Sequence, residues 1–212
     1  MKIICISDTH GEHDSVDLPD GDILLHAGDI TAHGSRSDFH SFVEWMASQP
    51  HEHKLFIAGN HDTYLEQQAD DVKAVASELG VHYLCDSGVE LSGIQFWGSP
   101  ITPRFHDWSF MRDEDEIGQH WSRIPRHTQI LVTHGPIWGV LDQVKRSESL
   151  LEHTGCKLLK DKIDEIKPAY HIFGHIHEGY GVIKKSGTTF LNVSTMNEHY
   201  RIQNEPVSIE FD

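Results

Sequence analysis

Apolar residues gather along the chain in short runs: KIICIS (2–7), DILLHAG (22–28), KLFIAG (54–59), IQFWGS (94–99), QILVT (129–133), AYHIFG (169–174) and TTFLNVS (188–194). Each is rich in β-branched residues and stops at Gly or a polar group, the pattern of strands buried on both faces. Between several of them the spacing switches to a helical period. Phe39, Phe42, Val43 and Met46 fall at i, i+3, i+4, i+7, with Ser37 expected as the cap. Val72, Val75, Ala76 and Leu79 repeat the stripe, and Gly80 stands where a C′ residue belongs. Leu158, Leu159, Ile163 and Ile166 form a third, closed off by Pro168. Strands alternating with helices predict an α/β layered fold. Without an internal repeat or a linker, the chain is expected to form one domain over residues 1–212.

Residues 86–125 break this rhythm. SGVELSGIQFWGSP alternates as a hairpin does, around Ser92-Gly93, whereas ITPRFHDWSFMRDEDE has no period and reads as an elaborated surface loop. Its aromatic residues and their neighbours, Trp97, Phe105, Trp108 and Phe110, are expected mainly in local core.

The residues just beyond the strands carry the chemistry. The first run is followed by Asp8 and His10, the second by Asp29, and the third by Asn60, His61 and Asp62. QILVT is followed by His134, and AYHIFG by His175 and His177. Carboxyl ends of strands in open α/β sheets form the crevice where ligands bind, so groups scattered in sequence are expected to converge. Residues i and i+2 of an extended segment share a side, which would let Asp8 with His10, and His175 with His177, reach into one site. Any one of these pieces alone is weak, and Asp8 by itself reads as a turn residue. Their joint order at successive strand ends is the specific signal. Two carboxylates with imidazoles and one amide suit a pair of divalent cations, which are left net positive and able to act on a phosphoryl group.

The formal net charge is −16, from 17 basic and 33 acidic side chains, and the basic residues form no stripe. That opposes a nucleic-acid polymer as partner. Cys5, Cys85 and Cys156 are widely spaced, which indicates neither a disulfide framework nor a thiolate zinc site and fits a reducing cytoplasm. The N-terminal apolar run is too short for a signal peptide or a membrane span. Of the 18 histidines, those away from the strand-end motifs are expected on the surface or in the core.

With DTH (8–10), GD (28–29), GNHD (59–62), THG (133–135) and GHIH (174–177) in this order, the sequence resembles the calcineurin-like metallophosphoesterase superfamily. FWGSPITPRF, THGPIWGVLD and FGHIHEGYG look like its small metallophosphoesterase-domain branch, the brain-239 type. The resemblance spans essentially the whole chain and implies a four-layer α/β/β/α sandwich. It further implies two divalent metal ions, Mn favoured over Fe, Zn or Co. Asp8, His10, Asp29 and His177 would hold one, and Asn60, His134, His175 and the shared Asp29 the other. The catalytic pair it implies is His61, at the leaving oxygen, with Asp62 accepting from its other ring nitrogen. The attacking group would be a hydroxide held between the ions.

No Lys/Arg pocket for a phosphomonoester dianion stands out, which favours small phosphodiesters such as cyclic nucleotides or related nucleotide esters as substrate. Arg104, Phe105, Trp108 and Trp138 are the expected pocket wall, from their place in loops. A broad phosphomonoesterase or a phosphoprotein phosphatase would use the same ligands. A non-catalytic scaffold on the same fold is opposed by the complete ligand set, and a one-metal ester hydrolase by the need for Asn60 and the second set of histidines. The oligomeric state is not encoded in any visible apolar stripe.

Overall fold

The computed structural model describes residues 1–147 and 150–211; residues 148, 149 and 212 of the expected 1–212 unit lie outside the described residues. In chain order the strands begin with β1 (Lys2–Ile6), β2 (Ile23–Ala27), β3 (His53–Ile57), β4 (His82–Tyr83) and β5 (Ser87–Leu91). They continue with β6 (Ile94–Ser99), β7 (Thr102–Pro103), β8 (Met111–Arg112), β9 (Ile130–Thr133) and β10 (Gln143–Ser147). The last are β11 (Leu150–His153), β12 (Tyr170–Phe173), β13 (Gly181–Lys185), β14 (Thr188–Asn192) and β15 (Val207–Glu210). The helices are α1 (Arg36–Ser48), α2 (Thr63–Gln67), α3 (Ala69–Glu78), α4 (Glu114–Ser122) and α5 (Lys157–Ile166).

Two mixed sheets are built alike. In the first, β1 to β4 run parallel and β15 pairs antiparallel with β1 at the edge. The second has the order β13-β14-β12-β9-β6-β5, with a parallel centre and an antiparallel strand at each edge. Because side chains alternate across a strand, each parallel strand sends one set inward and one outward. Ile3, Cys5, Leu25 and Ile57 from the first sheet meet Phe96, Ile130, Ile172 and Leu191 from the second in a core between the sheets. Ile4, Ile6, Leu24 and Phe56 point the other way, with Phe39, Phe42, Val43 and Met46 of α1. On the far side Leu131, Phe173 and Phe190 are covered by Ile117 and Trp121 of α4 and Leu159 and Ile163 of α5. Helix, sheet, sheet, helix is the four-layer arrangement expected. Both-face burial is why these strands read as continuous apolar runs.

All seven expected strands form; β1, β2, β3, β12 and β14 stop one or two residues short of the expected carboxyl ends, where the chain turns into the site, and β6 and β9 end as expected. The Ser92-Gly93 turn joins β5 to β6 with φ of 50° and 82°, the paired left-handed residues of a two-residue hairpin. The α1 cap is Ser35 rather than Ser37: its hydroxyl accepts from the Asp38 N–H at 3.1 Å, and Ser37 only bonds to that hydroxyl. Gly80 does close α3, at φ 70°, with its N–H on the Ser77 carbonyl and that of Val81 on Ala76. Leu79, expected in the stripe, lies at the C-cap and is exposed. The aperiodic stretch hides α4, whose burial rests on Ile117 and Trp121 alone and whose Gly118 weakens the pattern. Three acidic residues in its first turn match the positive end of the helix. Cys5 and Cys156 are buried and Cys85 partly so; all three are free. Among the described residues no helix is long and apolar enough to cross a membrane.

Two histidines sit fully buried in the strands, His26 and His171, each pushed by burial down to about 3. The Thr133 hydroxyl donates to the Gly135 carbonyl (2.7 Å), so its oxygen accepts the Nε2–H of His171 (2.7 Å), which fixes a neutral ring. A histidine kept neutral when folded binds a proton only on unfolding, so its stabilising contribution is complete above pH 6.5 and is lost as the pH falls toward 3. Between pH 6 and 4 the unfolding free energy of His171→Gln should fall less steeply than that of the wild type, by about 1.4 kcal/mol per pH unit. Urea unfolding at stepped pH measures this, and equal slopes would contradict it.

Candidate metal centre

The carboxyl ends of β1, β2 and β3 in one sheet and of β9, β12 and β14 in the other open on the same edge, and a lone parallel bridge, Ser7 to Ser194, joins the sheets there. From this edge seven side chains converge as two groups around Asp29. Ligand atoms of Asp8, His10 and His177 lie within 4.8 Å of one another, and so do those of Asp29, His134 and His175. His10, Asp29 and His61 make a third such set between them. Asn60 joins the second group through Oδ1, 3.0 Å from His134 Nε2.

Asp8 and His10 meet in one group, and His175 and His177 reach the two groups, as expected, but extended-strand alternation is not what aims them. Asp8, His10, Asp29 and His175 all have positive φ, at 54°, 43°, 54° and 69°, and His177 begins a single 3₁₀ turn. The left-handed turns send His175 to Asp29 and His177 to Asp8. Each such residue costs on the order of 1–3 kcal/mol of backbone strain, which the surroundings must hold in place. The Asp8 carboxylate takes the His175 N–H (3.0 and 3.1 Å) and the Ser194 hydroxyl (2.8 Å). Asp29 Oδ1 takes the N–H of His61 (2.9 Å). Gly174 packs so tightly on Asp8 that a Cβ would collide with its carboxylate and with Ser7.

The donor chemistry tests whether cations belong here. His134 Nδ1 bonds the Ala27 carbonyl at 3.0 Å and must donate, which leaves Nε2 as a lone pair facing Asn60 Oδ1 and, at 3.3 Å, Asp29 Oδ2. His177 likewise donates from Nδ1 to the Asn197 carbonyl (2.9 Å) and turns Nε2 toward Asp8 at 3.5 Å. The Nε2 of His10 is buried without any partner, 3.8 Å from Asp29. Acceptors facing acceptors in a buried site repel unless a cation lies among them. Protonation answers the same demand: burial opposes the charge on His134 and His177, yet Asp29 and Asp8 raise them to about 9. Burial works against both carboxylates, and the surrounding imidazoles still hold them below the usual range. Burial lowers His10 and takes His175 to about 3. The residues fit divalent metal ions.

Asp62 departs from its expected role. Its four acceptor positions are filled by the Ile30, Thr31 and Gly59 N–H groups and the Thr31 hydroxyl, at 2.7–3.2 Å, with none left for the His61 ring. It ties the Asp29 loop to the Asn60 loop. Burial and the nearby Asp29 push it up to about 7 against those donors. His61 instead lies edge-on to His10 and Trp108, ring centres 4.6 and 4.7 Å away.

The centre floors a cleft of about 530 Å³. Arg104, Phe105 and Trp108 line it as expected; Trp138 lines an adjoining cavity instead. The aromatic residues divide: Phe110 is buried core and Trp97 partly buried, whereas Phe105 and Trp108 stand exposed over His175 and His61. Two contributors escaped the sequence reading. Tyr200 lies 5.1 Å from the rings of both His10 and His177, on a turn after β14. The β10–β11 hairpin supplies Arg146, Glu152 and His153, so His153, like His106, is a cleft residue rather than one of the bland histidines. Ser194, the last residue of the apolar run TTFLNVS, was the one available signal for a sixth contributing strand end.

The Calcineurin-like phosphoesterase profile matches residues 1–179. The chain belongs to this family. Human metallophosphoesterase domain-containing protein 1 is 37% identical over 232 residues, covering 99% of this chain and 70% of that protein. A UPF0046 protein of Caenorhabditis elegans is 38% identical over 220 residues, covering 98% and 74%. The phosphopantetheinyl hydrolase of Mycobacterium tuberculosis superposes with a TM-score of 0.64 at 14% identity, over 94% of this chain and 90% of that one, a likeness of fold. The chain is thus a metal-dependent phosphoesterase of the calcineurin-like family. In this phosphoesterase Gly174→Ala should weaken metal binding roughly 10–100-fold by displacing Asp8. Calorimetric titration of chelator-treated protein measures it, and wild-type affinity would contradict the packing argument.

Proposed function

We propose that the chain is a phosphodiesterase for small nucleotide-like esters, working with two divalent cations, Mn²⁺ favoured. Asp8, His10, Asp29 and His177 would hold one, and Asn60, His134, His175 and the shared Asp29 the other. The observation that carries this reading is the pair of ligand groups, Asp8 with His10 and His177 and Asp29 with His134 and His175, linked where His10 comes within 3.8 Å of Asp29 beneath the cleft. When bound, such cations supply Lewis-acid activation of water and of phosphoryl oxygens.

The chain's own residues do the rest. His61 is half-exposed at the mouth of the centre, its backbone fixed by Asp29 and its ring placed by Trp108, where it would give a proton to the departing oxygen. Asp62 acts through the loops it joins, keeping Asp29 and Asn60 in place. His177 keeps Nε2 for the metal because the Asn197 carbonyl holds the proton on Nδ1. Phe105, Trp108 and Tyr200 surround the centre with rings and reduce the water that reaches it. A cleft of about 530 Å³ supports a small molecule over a protein substrate.

Stripped protein reloaded with Mn²⁺ should hydrolyse bis-(p-nitrophenyl) phosphate faster than p-nitrophenyl phosphate. His61→Ala should lower diester turnover by about 10²–10⁴ while metal content stays at the wild-type level. Preference for the monoester would overturn the diester reading, and unchanged turnover would remove His61 from the chemistry.

A further inference from the structure

His153 has the buried carboxylate partner that His61 lacks. Its Nδ1 donates to Asp142 Oδ1 at 2.6 Å. Asp142 is fully buried, and its Oδ2 accepts from the N–H groups of Gly139 and Gly155, both at 3.0 Å. The Trp138 ring, 5.3 Å away between centres, borders the imidazole. Held so, the ring has one nitrogen left, Nε2, which accepts from the Gln143 amide nitrogen at 3.2 Å and must carry a proton to donate to an anion instead. Nothing in the metal chemistry uses this dyad.

Its position is specific. Pro103, Arg104, His153 and Thr154 line both the cleft and a second cavity of about 290 Å³, so Arg104 and His153 stand where the two meet. Arg146 lines the cleft from the same hairpin as His153. In a chain of net charge −16, this junction gathers two arginines and an imidazole. Arg146 pairs with Glu152 at 2.6 Å; Arg104 pairs with Asp113 at 2.9 Å and Asp107 at 3.4 Å and donates to the Met111 carbonyl at 3.3 Å, the charged partners all being exposed to water. Exposed pairs of this kind are weak and readily exchanged for a better-placed anion.

We propose that Arg104, Arg146 and His153 form a second anion subsite, which takes a phosphate or carboxylate on the substrate's own body at the same time as its phosphodiester lies on the metals. Asp142 is the positioning residue that aims His153. The proposal rests on the phosphodiesterase reading and narrows it: the substrate is a nucleotide-sized diester that carries a separate anionic group. His153 departs from the metal ligands in kind as well as place, since it sets specificity without touching the reacting phosphorus.

Adenosine 3′,5′-bisphosphate and adenosine 5′-monophosphate are the probes, titrated calorimetrically into Mn²⁺-loaded protein. The wild type should bind the bisphosphate at least about tenfold more tightly, the scale of a charge-assisted contact. In His153→Ala, a change at the cleft rim, that ratio should fall to within about twofold of unity, and His153→Arg should recover part of it. Asp142→Asn should lower the ratio in between, with its melting temperature as the check on folding. Equal affinities in the wild type, a ratio unchanged in His153→Ala, or no binding of either nucleotide overturns the subsite. Binding is read without turnover, so a protein that prefers the bisphosphate yet fails to cleave bis-(p-nitrophenyl) phosphate would sink the phosphodiesterase reading and leave the subsite standing.

Discussion

Burying Asp29 against His134, whose Nε2 lone pair also faces Asn60 Oδ1, and Asp8 against the Nε2 of His177, is unfavourable unless positive charge lies among them. The surrounding structure is arranged to keep that unfavourable geometry. The Ala27 and Asn197 carbonyls fix two imidazoles with their free nitrogens inward. Asp62 spends every acceptor position on the loops that carry Asp29 and Asn60. Four ligand residues accept left-handed backbone to arrive where they do. A site so prepared needs positive charge among its ligands, from cations or from protons on His134 and His177, which couples metal binding to local order.

The two-sheet frame is what can hold such strain. Six parallel strand ends from two sheets reach one edge, and the Ser7–Ser194 bridge closes the frame beside Asp8. Thr195 then bonds back to the Ser7 carbonyl through both its N–H and its hydroxyl. The inter-sheet core below is apolar and densely buried, so the ligand residues are anchored through short connections to strands packed on both faces. Loop and hairpin insertions beyond the frame shape the cleft, a division in which the scaffold fixes the chemistry and the loops choose the substrate.

The sequence made the frame legible because buried parallel strands leave unbroken apolar runs, and the ligand residues legible because each follows such a run. It misled where one residue type serves two ends. Asp62 follows His61 as an orienting carboxylate would, but backbone N–H groups from a neighbouring loop reach it first. Ser35 displaced Ser37 as the α1 cap because both have the same hydroxyl two residues apart. The α4 helix was hidden by its thin apolar face, and the β10–β11 hairpin by side chains exposed on both faces, since neither leaves a period to read. Tyr200 and His153 reach the cleft only through tertiary folding, from positions that no local pattern marks.

The chemical centre of this phosphoesterase is arranged around repulsion among its own ligands, and we propose that two cations flank Asp29 there. Anomalous diffraction from crystals of Mn²⁺-loaded protein tests this most directly. Two peaks roughly 3.5–4 Å apart with Asp29 between them are the predicted result; a single peak, or two peaks that Asp29 does not share, would contradict it.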